Sequence, residues 1–123
     1  MTKYVKSFNF MMDTFGIIIR RQRESRKLPL RVVASSVNTD QAILSKIERG
    51  QRKATREQVL KLAKFFNMDE EELFIAWLSD KIAYELKGEI HAKKALKVAE
   101  NKIEYFKNKS SSHCKTAHQK YLI

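Results

Sequence analysis

The chain has 123 residues, enough for one compact domain with an appendage and too few for two ordinary domains. Apolar residues make up 43% of it, so a packed core is available, while 3 Gly and 1 Pro leave little material for the tight turns of a β-fold. The formal charge of +11 points either to a solvated basic face or to a polyanionic partner, nucleic acid or an anionic membrane. That charge is concentrated: between Arg20 and Arg56 eleven Lys/Arg stand against three acids, leaving +8 on this segment. The single cysteine, Cys114, excludes an internal disulfide framework and suits a reducing compartment. No apolar run approaches the roughly 20 residues of a membrane span, and the first residues lack the apolar stretch and cleavage site of a signal peptide. The expectation is a soluble, cytoplasmic, nucleoid-associated protein.

In chain order, residues 1–12 show no helical period and read as a loosely ordered leader. Asp13 is the expected N-cap of a first helix over about 14–26, with Phe15, Ile18 and Ile19 as its apolar side. Pro29 fits the first position of a second helix, continued by Leu30 to Ser36 with Val32, Val33 and Ala34 as its apolar content. Asn38 enters the left-handed region cheaply, so Val37-Asn38-Thr39 reads as a tight turn. Asp40 then caps a third helix, Gln41 to Glu48, which Gly50 stops. Thr55-Arg56-Glu57-Gln58 is a capping-box pattern that opens a fourth helix. Asp69 to Glu72 opens a fifth, with Leu73, Ile75, Ala76, Trp77 and Leu78 as a buried side and Ser79-Asp80 as a restart point. A last helix is expected from Gly88 to about Lys107, and the polar residues 108–123 read as a disordered tail. The domain division is therefore 1–12, 13–79, 80–107 and 108–123.

Two short helices joined by a three-residue turn, the second followed by a basic loop, make a helix-turn-helix. The second helix of that unit fits the major groove of DNA with its N-terminal side chains at base edges. Here those are Gln41 and Ala42, with Lys46 one turn further along the same face. Gln pairs bidentately with adenine, Lys donates to guanine and Ala touches a thymine methyl. Leu44 and Ile47 face the core, and Ile43 either meets DNA or tucks under the domain edge.

At these residues the sequence resembles the lambda-repressor-like (Cro/XRE) family of bacterial and phage DNA-binding domains. The resemblance covers roughly residues 14–78, the usual five-helix domain. It rests on Leu28, Val33, Ala34, Val37 and the run L-S-K-I-E-R-G from Leu44 to Gly50. It implies an all-α, five-helix domain and a helix-turn-helix transcription regulator, not an enzyme; beyond the resemblance, the chain's own pattern appends a C-terminal amphipathic helix to that domain. It also implies base reading by Gln41, Ala42 and Lys46, and phosphate contacts from Arg49, Lys53 and Arg56 with Arg52 nearby. Glu48 would form a structural ion pair with Arg23. The family's usual Ser/Thr-Gln at the start of the second helix is Pro29-Leu30 here, which leaves Arg31 as the replacement backbone contact. Asp40 stands where Ser or Thr is frequent, an acid that is unfavourable beside DNA unless it caps the helix or accepts from a cytosine amino group.

In the last helix Ala92, Leu96, Ala99, Ile103 and Phe106 alternate steps of three and four, a heptad seam. Self-association through this seam is the expectation, since a homodimer matches two half-sites on double-stranded DNA about 34–36 Å apart. The seam could instead pack on its own domain or, in a protein-interaction module or antitoxin, take a partner protein. His113, Cys114 and His118 lie in a Ser/Lys-rich stretch where a metal site is not expected, and Asp69 to Glu72 is explained by capping. No phosphate loop, nucleophile elbow or triad pattern is present. No catalytic residue, cofactor, metal, membrane or small-molecule ligand is expected. A stand-alone domain of this size resembles phage-type repressors and the controller proteins of restriction–modification systems.

Overall fold

The computed structural model describes the backbone of residues 13–122 and the side chains of residues 13–109. The expected leader, residues 1–12, and the side chains of His113, Cys114 and His118 lie outside the described residues. Six helices and no strand are present among the described residues: α1 Phe15–Ser25, α2 Leu30–Ser36, α3 Gln41–Glu48, α4 Arg56–Phe65, α5 Glu70–Glu85 and α6 Ala92–Leu122. The fold is all-α, a five-helix domain followed by a C-terminal helix. The chain divides after Glu85 into two units, the first carrying α1 to α5 and the second α6.

Each helix of the first unit starts where a side chain can take up an orphan amide. Thr14, not Asp13, caps α1 by accepting from Ile17 N at 3.3 Å, while Asp13 is taken up by an ion pair with Arg21. Asp40 Oδ1 accepts from Ile43 N at 2.8 Å and caps α3. Thr55 and Gln58 form the reciprocal capping box of α4, and Asp69 Oδ1 accepts from Glu71 N and Glu72 N ahead of α5. Pro29 is the exception. It sits at the cap itself, one residue before its expected place, and makes no side-chain cap bond, so Leu30 is the first helical residue.

Four helices end the same way. After α1, α2, α3 and α4 the residues Lys27, Asn38, Gly50 and Asn67 turn left-handed, with φ of 55°, 56°, 77° and 55°. The next amide reaches back across the last turn in each case, for example Gln51 N to Lys46 O at 2.8 Å. This paired closure satisfies carbonyls that the helix leaves open. Asn38 takes the turn as its residue type suggests; Lys27 does so without the help of a short polar side chain.

The core is one cluster drawn from all five helices of this unit, with Ile19, Val33, Leu44, Val59, Leu62 and Leu73 fully buried. Burying an aliphatic side chain of this size contributes about 1.5–3 kcal/mol relative to exposure. Ala54, in the loop before α4, is buried with them. Gly16 sits in the second position of α1, where a Cβ would stand 2.5 Å from Ile47 O and 2.6 Å from Glu48 O. The backbones of α1 and α3 therefore meet without an intervening side chain.

The second half of the domain departs from expectation in three places. α5 runs unbroken from Glu70 to Glu85, because Ser79 Oγ donates back to Ala76 O and does not cap a new helix. The division between units falls accordingly after Glu85, beyond the expected boundary at Ser79. Asp80 is engaged elsewhere: its Oδ2 accepts from Phe15 N at 2.7 Å and ties α5 to the start of α1. Burial pushes the Asp80 carboxyl above the ordinary carboxylate range, and the Phe15 N–H draws it part of the way back.

Ile75 and Leu78, expected inside, are 53% and 42% exposed, because Leu73, Ala76 and Trp77 fill the inward arc of α5. With Ile82 they form an exposed aliphatic stripe at positions i, i+3 and i+7. Finally, α6 continues to Leu122 through the stretch expected to be a disordered tail. No Gly or Pro follows Gly88 to stop it.

Candidate nucleic-acid interface

α2 and α3 are joined by Val37 to Asp40, and the turn is held from inside. Val37 N and Thr39 N both donate to Ala34 O at 3.1 Å, and Val37 is buried in the core. Helical periodicity then splits α3 in two. Leu44, Ile47 and Glu48 are buried, and Ile43 packs against the core, which places it under the domain edge. Gln41, Ala42, Lys46 and Arg49 are exposed together on the other side, with Ser45 between them. Four residues hold the helix and four face outward.

Glu48 is the one buried charged residue among those described, 6% exposed. Its two oxygens accept from Arg23 Nε at 2.8 Å and Arg23 Nη2 at 3.1 Å, a fork-to-fork pair. Arg23 Nη1 also donates to Leu28 O at 3.0 Å, so one guanidinium ties α1, the end of α3 and the chain leading to α2. The hydrogen bond from Glu48 is the main influence that raises the Arg23 pKa above its ordinary value; desolvation opposes it. The arrangement is a scaffold for α3.

The remaining basic candidates come from α2, the end of α3, the loop that follows and the start of α4. Arg31, on α2, shares a shallow polar depression with Ser35, Asp40 and Gln41. Arg49 folds back so that its Nε donates to Ser45 O at 3.3 Å. Arg52 and Lys53 are exposed in the loop that follows, and Arg56 opens α4. Asp40 spends one oxygen on the cap of α3 and stays exposed.

Three contributors to this face carried no local signal that the sequence reading used. Trp77 Nε1 donates to Ala54 O at 2.9 Å, a buried hydrogen bond between α5 and the basic loop. Asp80 reaches Phe15 from a helix that sequence pattern alone would have broken at that point. Gly16 had a visible clue, a lone glycine inside the apolar run Phe15 to Ile19, which often marks close backbone approach.

The geometry matches what the comparisons find. The model of the helix-turn-helix family fits residues 19–73, from within α1 to within α5. Over that segment the chain is similar to the lambda-repressor-like, Cro/C1-type helix-turn-helix family, which supports a DNA-binding transcription regulator. No curated protein and no solved structure matches the chain. Among the described residues no helix is long and apolar enough to cross a membrane, and no group of His, Cys, Asp and Glu is arranged to hold a metal ion.

Proposed function

We propose that the chain is a sequence-specific regulator that binds double-stranded DNA as a homodimer at an operator and represses or activates its own gene. It would act in the cytoplasm on the nucleoid, as a phage-type repressor or a restriction–modification controller. The observation that carries this reading is the two-sided α3: Gln41, Ala42 and Lys46 stand exposed on a helix whose other side is locked by the core and the Arg23–Glu48 pair. Gln41, Ala42 and Lys46 choose the site. Arg31, Arg49, Arg52, Lys53 and Arg56 supply salt-dependent affinity, and five neutralised phosphates give a slope of about −4.5 in log K against log salt per protomer.

Fluorescence-anisotropy titration on a duplex from immediately upstream of the gene, beside a scrambled duplex, tests the assignment. The wild type is expected to prefer the native duplex, with binding that falls steeply in salt. Gln41→Ala/Lys46→Ala should lose that preference, about 1–3 kcal/mol for each good base pair, and keep most of the salt slope. Equal binding of both duplexes by wild type would refute operator recognition at this sequence.

Dimerisation has two candidate faces. α6 presents Ala92, Leu96, Ala99, Ile103 and Phe106, of which Leu96 and Ile103 are 45% and 61% exposed. α5 presents Ile75, Leu78 and Ile82. Exposure of the α6 seam also favours a second reading, in which it takes a partner protein as an antitoxin would. Sedimentation of the full chain separates these. Leu96→Glu/Ile103→Glu is expected to convert a dimer to monomer. If that variant stays dimeric while Ile75→Glu/Ile82→Glu does not, the interface is on α5 and α6 is left for a partner.

A further inference from the structure

One side of α5 faces the basic loop with four residues at helical spacing, Phe74, Trp77, Lys81 and Tyr84. Three of them touch the segment from Lys53 to Arg56. Trp77 Nε1 holds Ala54 O at 2.9 Å, and Ala54 itself is buried. The Arg56 guanidinium lies 5.3 Å from the ring centres of both Phe74 and Trp77, which meet each other edge to face at 5.8 Å. Lys53 Nζ stands 5.5 Å from the centre of the Tyr84 ring. Lys81 Nζ sits over Trp77 at 3.7 Å, so the indole meets two cations.

The loop has few other anchors. Gln51 N closes the end of α3, and Thr55 N donates to Gln58 within the capping box. Between them, among the described residues, the backbone of Arg52, Lys53 and Ala54 makes one hydrogen bond to the rest of the domain, the one to Trp77. A cation on an aromatic face is attracted by the ring quadrupole. A guanidinium held beside aromatic rings spends no hydrogen bond on them and keeps its N–H donors for phosphate oxygens. A side chain held this way before binding loses less rotamer freedom when it binds.

We infer that the Phe74–Trp77–Tyr84 stripe of α5 is an aromatic rack that holds Lys53 and Arg56 in position for the DNA backbone. It rests on the proposed DNA contact of this domain and adds positioning residues to it. Lys53 and Arg56 are the phosphate hands; Trp77 and Tyr84 act through them. The rack serves affinity and register, while the choice of bases stays with α3.

The test is a salt series on a short fluorescein-labelled duplex of mixed sequence, where phosphate contacts alone are read, followed by the native-to-scrambled preference. Tyr84→Ala removes the ring under Lys53 at a residue that is 67% exposed. Trp77→Phe keeps an aromatic ring and removes the N–H that holds Ala54, with circular dichroism reporting that the helices are retained. Each variant is expected to lower the salt slope by about 1, the share of one phosphate. Affinity at moderate salt should fall about 3- to 10-fold, with the native-to-scrambled preference unchanged.

An unchanged slope and affinity in Tyr84→Ala, or in folded Trp77→Phe, would overturn the rack. So would a loss of preference at constant slope, because the effect would then run through α3. A wild-type chain that shows no salt-dependent binding to either duplex would overturn the DNA contact itself, an outcome readable before any variant is made.

Discussion

Gly16→Ala is expected to destabilise the helix-turn-helix unit by about 3 kcal/mol, where an added methyl inside a well-packed core usually costs roughly 1–3. The upper end applies because the Cβ would meet backbone, Ile47 O at 2.5 Å and Glu48 O at 2.6 Å, and backbone cannot rotate away as a side chain can. The sign is the sharp part of the test. In an unobstructed helix the same substitution stabilises by about 0.5–1 kcal/mol, because glycine loses more freedom on folding. Thermal unfolding should show a melting point lower by more than about 10 °C, since 1 kcal/mol shifts a domain of this size by roughly 4–8 °C. A variant as stable as wild type would mean that α1 and α3 do not approach this closely. The clash lies at the C-terminal end of α3, so a chain that does fold should also bind DNA more weakly, its outward residues displaced together.

Glu48→Ala should remove about 3–5 kcal/mol, the range for breaking a buried ion pair by deleting one partner. The loss comes from what remains. Arg23, 14% exposed at its side chain, would keep Leu28 O as its partner and lose both carboxylate bonds. Arginine cannot deprotonate to escape. Glu48→Gln keeps an oxygen acceptor and should lose less, about 1.5–3 kcal/mol. Replacing both partners with apolar residues, Arg23→Met/Glu48→Leu, should recover most of the loss, because the pair's attraction roughly balances its own desolvation. Urea unfolding of wild type, Arg23→Met, Glu48→Leu and the double variant closes the cycle and gives the coupling energy. A Glu48→Ala loss well under about 1 kcal/mol would show that water reaches the pair in solution and stabilises the stranded guanidinium.

How much could be read in advance divides by the range of the interaction. Asp40 as the cap of α3, the Thr55–Gln58 capping box and the Asn38 turn are all decided within four residues, and each was legible. The Leu44 to Gly50 run placed α3 and its inward side correctly, because a repeat of three and four residues is a local fact about a helix. The misreadings concern partners far along the chain. Asp80 looks like a helix start in its own neighbourhood, yet its carboxylate serves Phe15, 65 positions earlier. The apolar run Leu73 to Leu78 contains more hydrophobic residues than one side can hold, and the core selects Leu73, Ala76 and Trp77. Trp77 needed a carbonyl for its N–H, and which carbonyl depends on how α5 crosses the loop 23 positions upstream. The polar, aperiodic residues from Asn108 onward read as a disordered tail, whereas the absence of any breaker lets α6 run on to Leu122.

The two-sided construction of α3 has an evolutionary consequence. Leu44, Ile47 and Glu48 answer to folding, and among the described residues the exposed Gln41, Ala42 and Lys46 make no side-chain hydrogen bond or ion pair with the scaffold. Substitutions on the outward side can therefore accumulate nearly free of stability selection, while those on the inward side are purged. On the proposed assignment of these three residues to base reading, a lineage built on this domain can change its DNA address one side chain at a time and keep the same folded frame.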